Sequence, residues 1–299
     1  MDKLAIISDL HVDINKLSKK DLDLLIELLE AQQINHLHLA GDTANTIKQL
    51  LETVDYLEKS SYSVTYNFGN HELPSLKNPE EIENYPDDRF LNLDYLELTS
   101  DLVLVGMNGW YDYSFALEND PKKILAAKNL YWYDRMIERG QSDIEITEQI
   151  LSQLETLLDD LSRQNKEVIL ATHFVPHQEF IRYFEGKYAR WNQINAFLGT
   201  QKLGDMLANY PNIRQVIFGH THRRFEETKI GDIIYTAKPL GYFYEWQLTH
   251  DFMLTNHLMA SFNPMNVRKI LKHHQKEFQI YRDQHLKEEF LKSLTIVEY

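Results

Sequence analysis

Five polar clusters in this chain carry residue types that hold metal ions, and each follows a short apolar run. Asp9 and His11 follow residues 4–7, Gly41-Asp42 follows residues 36–40, and Gly69-Asn70-His71-Glu72 follows residues 62–68. His173 follows residues 168–171, and Gly219-His220-Thr221-His222 follows residues 216–218. Carboxylate, imidazole and amide oxygen without sulfur suit Mn, Fe, Zn or related divalent ions. Asp42 is the candidate to bridge two ions, because a carboxylate can offer one oxygen to each. His220 and His222, at i and i+2, can address two neighbouring ions from one turn. Glycine before Asp42, Asn70 and His220 would let the backbone turn sharply.

The apolar runs read as strands. Further runs at 102–106 and 233–236 complete a strand–helix alternation, with helices after Ser18 and over residues 47–57. Ser18 with Asp21 three residues on is a helix-start signal. Open α/β sheets place ligands beyond the carboxyl ends of their strands, so distant segments can converge on one rim. From Asn108 to about Lys166 the alternation is interrupted. The second half of that stretch is helical, with Ile146, Ile150, Leu154, Leu157, Leu158 and Leu161 on one face. After Pro239 the pattern becomes mostly helical.

Composition bounds the function. The 299 residues are 43% hydrophobic and 12% aromatic, as expected of a globular protein. Lys plus Arg number 31 against 45 Asp plus Glu, a net charge of −14 that argues against broad contact with nucleic acid or anionic membrane. The absence of cysteine excludes disulfides, thiolate catalysis and thiolate metal sites. No secretory signal is visible, and no run approaches the roughly 20 apolar residues needed to cross a bilayer. The chain reads as soluble and cytoplasmic.

The five blocks, in this order, resemble the calcineurin-like metallophosphoesterases, whose pattern is D-x-H, G-D, G-N-H-[DE], H and G-H-x-H. Gly-Asn-His-Glu alone is expected by chance on the order of once in a thousand chains of this length. The resemblance implies an α/β/β/α sandwich of two mixed β-sheets flanked by helices. It would occupy residues 1–250, with 110–165 a largely helical insertion and 251–299 a C-terminal helical extension. It implies one metal on Asp9, His11, Asp42 and His222, and a second on Asp42, Asn70, His173 and His220. His71 would face the phosphate and assist the leaving group, and Glu72 would orient a neighbouring ligand. Two divalent ions, with Mn favoured over Fe and Zn, would leave the site net positive. They would bring a bridging water toward a pKa of about 7, giving the hydroxide nucleophile.

Departures from the pattern narrow the substrate. Protein phosphatases of the superfamily continue Gly-Asp into Val-Asp-Arg-Gly, whereas here Thr43-Ala44-Asn45 follows. The coiled-coil or DNA-binding additions of the repair nucleases are absent. Residues 109–114, Gly-Trp-Tyr-Asp-Tyr-Ser, resemble a bacterial branch of phosphoesterases. The expectation is a small-molecule phosphodiesterase. A phosphomonoesterase is the alternative, and a non-catalytic scaffold is disfavoured because the ligands and His71 are all retained. His36 and His38 precede the rim and read as partly buried strand residues, and His177 as a loop residue. His250, His257, His273, His274 and His285 read as surface or packing residues. Tyr131-Trp132-Tyr133 reads as packing of the insertion, while Trp110 and Tyr111 suit either a pocket wall or packing.

Overall fold

The computed structural model describes residues 1–299, except for the side chain of Tyr131. Ten strands form: β1 (Lys3–Ile7), β2 (His36–Ala40), β3 (Ser63–Asn67), β4 (Asp94–Glu97), β5 (Leu102–Met107), β6 (Glu167–Thr172), β7 (Ile213–Ile217), β8 (Phe225–Ile230), β9 (Ile233–Ala237) and β10 (Thr295–Glu298). They make two mixed sheets, in the orders β10-β1-β2-β3 and β4-β5-β6-β7-β9-β8. The interior pairings are parallel, and the antiparallel strands β10, β4 and β8 stand at sheet edges. Helices α1 (Lys19–Ala31), α2 (Ile47–Leu57), α3 (Glu80–Glu83), α4 (Pro121–Tyr131), α5 (Asp143–Arg163), α6 (Gln201–Leu207), α7 (Gln247–Thr255), α8 (Pro264–Leu271) and α9 (Gln275–Ser293) complete the chain.

Strand alternation builds the layers. Successive side chains on a strand point to opposite faces. Leu4 and Ile6 of β1 therefore meet Leu102, Leu104, Ile169, Ala171 and Ile217 of the other sheet. Ala5 and Ile7 turn the other way, into the core that includes Leu25 and Leu29 of α1 and Leu50 and Val54 of α2. The second sheet does the same, sending Val103, Val105, Val168 and Leu170 into the core that contains Ile146, Ile150, Leu154 and Leu158 of α5. Strands buried on both faces need continuous apolar runs, which is why those runs are so plain in the sequence. The α/β/β/α sandwich is the result. No helix among the described residues is long and apolar enough to cross a membrane.

The last third of the chain ties back to the first. Helix α9 packs on α1 and α7, and β10 then pairs with β1. Arg282 of α9 donates to Asp21 of α1 at 2.9 and 3.2 Å, with both residues buried. Burial would raise the Asp21 carboxyl, but the hydrogen bond and charge of Arg282, together with hydrogen bonds from Ser18, outweigh it and hold the group below its ordinary value. The stability this adds is present above the ordinary carboxylate range and is lost as pH falls through the lowered value. Arg282→Ala should therefore cost about 2–4 kcal/mol at neutral pH. In urea denaturation that deficit should shrink in acid; a deficit independent of pH would show that packing, not the ion pair, was lost.

Candidate metal centre

The clusters predicted to follow strands all open the loops after β1, β2, β3, β6 and β7. Their backbones are unusual. Asp9, His11, Asp42, His220 and His222 have φ of 57°, 42°, 53°, 68° and 53°. This left-handed region is disfavoured for residues with a Cβ, and such strain persists where surrounding bonds over-determine it. Asp9 N–H donates to Gly41 O at 3.0 Å, His11 N–H to Asp42 O at 2.9 Å, and Gly219 N–H to His173 O at 3.1 Å. The sharp turn expected of the glycines holds at Gly41, with φ of 81°. Gly69 serves otherwise: a Cβ there would lie 2.1 Å from Asp42 Oδ1, so only glycine admits the carboxylate.

All eight residues singled out by the sequence come together. Asp9, His11, Asp42 and His222 present ligand atoms within 4.8 Å of one another, and so do Asp42, His173 and His220. Asn70 Oδ1 lies 3.3 Å from His173 Nε2, beside the second group. Asp42 Oδ1 accepts from His71 N–H at 2.9 Å, whereas its buried Oδ2 has no hydrogen-bond partner among the described residues. That oxygen lies 3.6 Å from His11 Nε2 and 3.3 Å from His173 Nε2, between the two groups.

The donor set fits two cations. His11 Nε2 and His222 Nε2 are 3.1 Å apart, and His173 Nε2 and His220 Nδ1 are 3.2 Å apart. Two imidazole lone pairs at that separation repel unless a proton or cation lies with them. Burial would raise Asp9, yet the His222 hydrogen bond and the charges of His173 and His222 hold it at about 2. Burial would likewise lower His222, but Asp9 and Glu245 push it up to about 10. Two buried carboxylates thus demand positive charge at this point.

Neighbouring carboxylates, Glu72 from within the motifs and Glu245 and Asp134 from outside them, fix these groups. His222 Nδ1 lies 2.9 Å from Glu245 Oε2, which leaves Nε2 facing the centre. Glu72 accepts from the N–H groups of Gly69, Ala44 and Asp42 at 2.9, 3.0 and 3.2 Å, joining two ligand loops. Burial, with Asp42 nearby, pushes Glu72 up to about 8. Asp134 accepts from Asn70 Nδ2 at 2.7 Å and from Trp132 Nε1 at 2.9 Å. A carboxylate bonded this way selects the amide orientation that turns Asn70 Oδ1 toward His173. Asp134→Ala should weaken one of two bound ions about 10–100-fold and spare the other. A metal titration reads this directly, and two unchanged affinities would show that Asn70 is oriented by something else.

His71 is pinned separately. Its Nδ1 lies 2.7 Å from Asn45 Oδ1, an acceptor, so Nδ1 carries hydrogen. Its Nε2 lies 3.1 Å from the Tyr242 hydroxyl and 3.9 Å from Asp42 Oδ2, and its ring stacks on Tyr133 at 4.2 Å. Burial lowers the imidazole below its ordinary value, with Asp42 opposing.

A family model described as calcineurin-like phosphoesterase matches residues 3–224. The chain belongs to that family. Among solved structures, a phosphopantetheinyl hydrolase from Mycobacterium tuberculosis is similar over 82% of this chain and 92% of its own, at 20% identity and a TM-score of 0.63. A dimetal phosphatase from Danio rerio is similar over 80% and 87%, at 16% identity and a TM-score of 0.49. No curated protein matches the chain in sequence. This calcineurin-like phosphoesterase is a metal-dependent phosphoric ester hydrolase with a dinuclear centre.

Above the phosphoesterase centre lies a cavity of about 350 Å³. Asp42, Asn70, His71, His220 and His222 line it, together with Trp132, Tyr133 and Tyr242. Trp132 and Tyr133 correct an expectation: they wall the cavity rather than only packing the insertion. The sequence could not separate these roles, since both need large flat side chains. The side chain of Tyr131, in the same run, falls outside what is described. Trp110 and Tyr111 take the packing role, buried and stacked on each other at 4.5 Å. His36 and His38 are more buried than expected, bonded along β2 and β3 to Ser63, Thr65 and Asn67. His177 caps a short turn by accepting from Glu179 N–H at 3.1 Å.

Proposed function

We propose that this phosphoesterase hydrolyses a small-molecule phosphate ester, with phosphodiesters preferred over monoesters and Mn as the working ion. The observation that carries this reading is the 350 Å³ cavity whose floor is the ligand cluster. That size suits a small ligand, and the net charge of −14 disfavours a nucleic-acid backbone. Walls of Trp132, Tyr133, Phe180, Phe184, Ile194 and Leu198 offer apolar contact to the organic groups of an ester. A diester brings two such groups, which favours it over a monoester.

In this reading Asp9, His11, Asp42 and His222 hold one ion, and Asp42, Asn70, His173 and His220 hold the other. Bound there, the ions supply positive charge to phosphate oxygens and acidify water. The chain does the rest. Glu245 and Asp134 keep His222 and Asn70 turned inward. Asn45 holds hydrogen on His71 Nδ1, so Nε2 is the atom that offers a proton to the departing oxygen. A phosphate drawn against His71 adds negative charge that favours its protonated form. Tyr133, stacked on the ring, limits its rotation.

The test is hydrolysis of bis(nitrophenyl) phosphate and nitrophenyl phosphate, each with and without added Mn. Mn-dependent turnover with a higher kcat/KM for the diester is expected. A higher kcat/KM for the monoester would make the protein a phosphatase, and no turnover of either by the Mn-loaded protein would favour a scaffold.

A further inference from the structure

Two arginines line the same cavity and take no part in holding metal or His71. Arg182 is exposed and Arg223 half-buried, so they stand nearer the mouth than the buried ligands. Among the described residues neither forms an ion pair with a carboxylate, although the chain carries 45 Asp plus Glu against 31 Lys plus Arg. Both line the one cavity, and Arg182 is near enough for its charge to act on Arg223, with Glu245 opposing. Glu245 Oε2 is already engaged, 2.9 Å from His222 Nδ1 and accepting from Tyr242 N–H at 3.3 Å. Aromatic faces support both groups, with Arg223 5.4 Å from the Phe184 ring and Arg182 5.8 Å from that of Phe225. Two guanidinium groups on one cavity wall, neither paired with a carboxylate, offer an anion two charged donor forks.

We propose that Arg182 and Arg223 form an anion subsite, so that the substrate is an ester carrying a second phosphate-like group beyond the scissile phosphate. This deepens the phosphoesterase reading and rests on it. The scissile phosphate goes to the metal floor, the second anion goes to the guanidinium forks, and the aromatic walls hold the linker between them. Guanidinium groups suit this role because their planar forks bind phosphate through paired hydrogen bonds.

Binding without turnover tests the subsite apart from the reaction. Mn-loaded protein, dialysed free of excess metal, is titrated calorimetrically with propane-, butane- and hexane-bisphosphonates, which offer no ester bond to cleave, and with the matching alkyl monophosphonates. At least one bisphosphonate should bind about tenfold more tightly than its monophosphonate, the scale of a charged hydrogen-bonded contact. The advantage should fall in Arg182→Gln, vanish in the double variant with Arg223→Gln, and return in part with Arg182→Lys. Metal content measured on each variant shows that His222 still has its ion. A wild-type protein that binds every pair equally overturns the subsite, as does an advantage that survives Arg182→Gln undiminished. Hydrolysis of the simple nitrophenyl diester is scored separately, so loss of the subsite and loss of the phosphoesterase reading give different results.

Discussion

Asp42→Asn should leave the protein folded but unable to hold two ions, with kcat/KM reduced about 10³-fold or more. That loss corresponds to roughly 4 kcal/mol of transition-state stabilisation. The reason lies in what each carboxylate oxygen does. Oδ1 accepts the His71 N–H at 2.9 Å, and an asparagine oxygen can keep that bond. Oδ2 is buried without a partner and lies between His11 Nε2 and His173 Nε2. Asparagine puts an N–H₂ group there, which can donate but not ligate, and removes one of the two charges that draw cations in. Metal content should fall from two ions per chain to one or fewer. The rise in Tm that metal gives the wild type, a linkage effect of binding to the folded state, should shrink in parallel. Two tightly held ions and undiminished turnover in this variant would end the dinuclear reading.

What could be read from the sequence follows burial. Strands β1, β2, β3, β5, β6, β7 and β9 were all expected, and each is flanked by other strands or by helices, so most of its residues are buried and each carries an apolar run. The strands missed were β4, β8 and β10. In β8, Phe-Glu-Glu-Thr-Lys-Ile is half-exposed on a sheet edge, where polar side chains are tolerated and the pattern blurs. The site divides in the same way. Its motif residues sit one to five positions beyond a strand, so finding the strands located them. Asp134 comes from a short 3-10 turn, Tyr133–Met136, and Asn45, Tyr242 and Glu245 from loops, all of which only the folded chain brings near. Glu245 reaches His222 because Leu240 and Gly241 donate N–H groups to Ser8 O and Asp9 O, and because Asn15 Oδ1 accepts from Phe243 N–H at 2.7 Å. None of these contacts has a local sequence signature.

His71→Gln separates proton delivery from metal binding, and its effect should depend on the leaving group. The His71 main chain supplies the N–H to Asp42 Oδ1, and that bond survives any side-chain change, so both ions should remain. What disappears is a donor at Nε2, held in place by Asn45 on one side of the ring and by Tyr133 stacking on its face. General acid catalysis is worth about 10²–10⁴-fold. It matters most when the departing oxygen is strongly basic. An alkyl ester should therefore lose turnover near the top of that range, while a nitrophenyl ester, whose phenolate departs without help, should lose far less. KM should change little, because the organic groups rest mainly on the aromatic walls. An equal loss on both esters would assign His71 to phosphate binding instead. Loss of metal from the variant would place the ring among the ligands, which its 3.9 Å separation from Asp42 Oδ2 and its Tyr242 contact argue against.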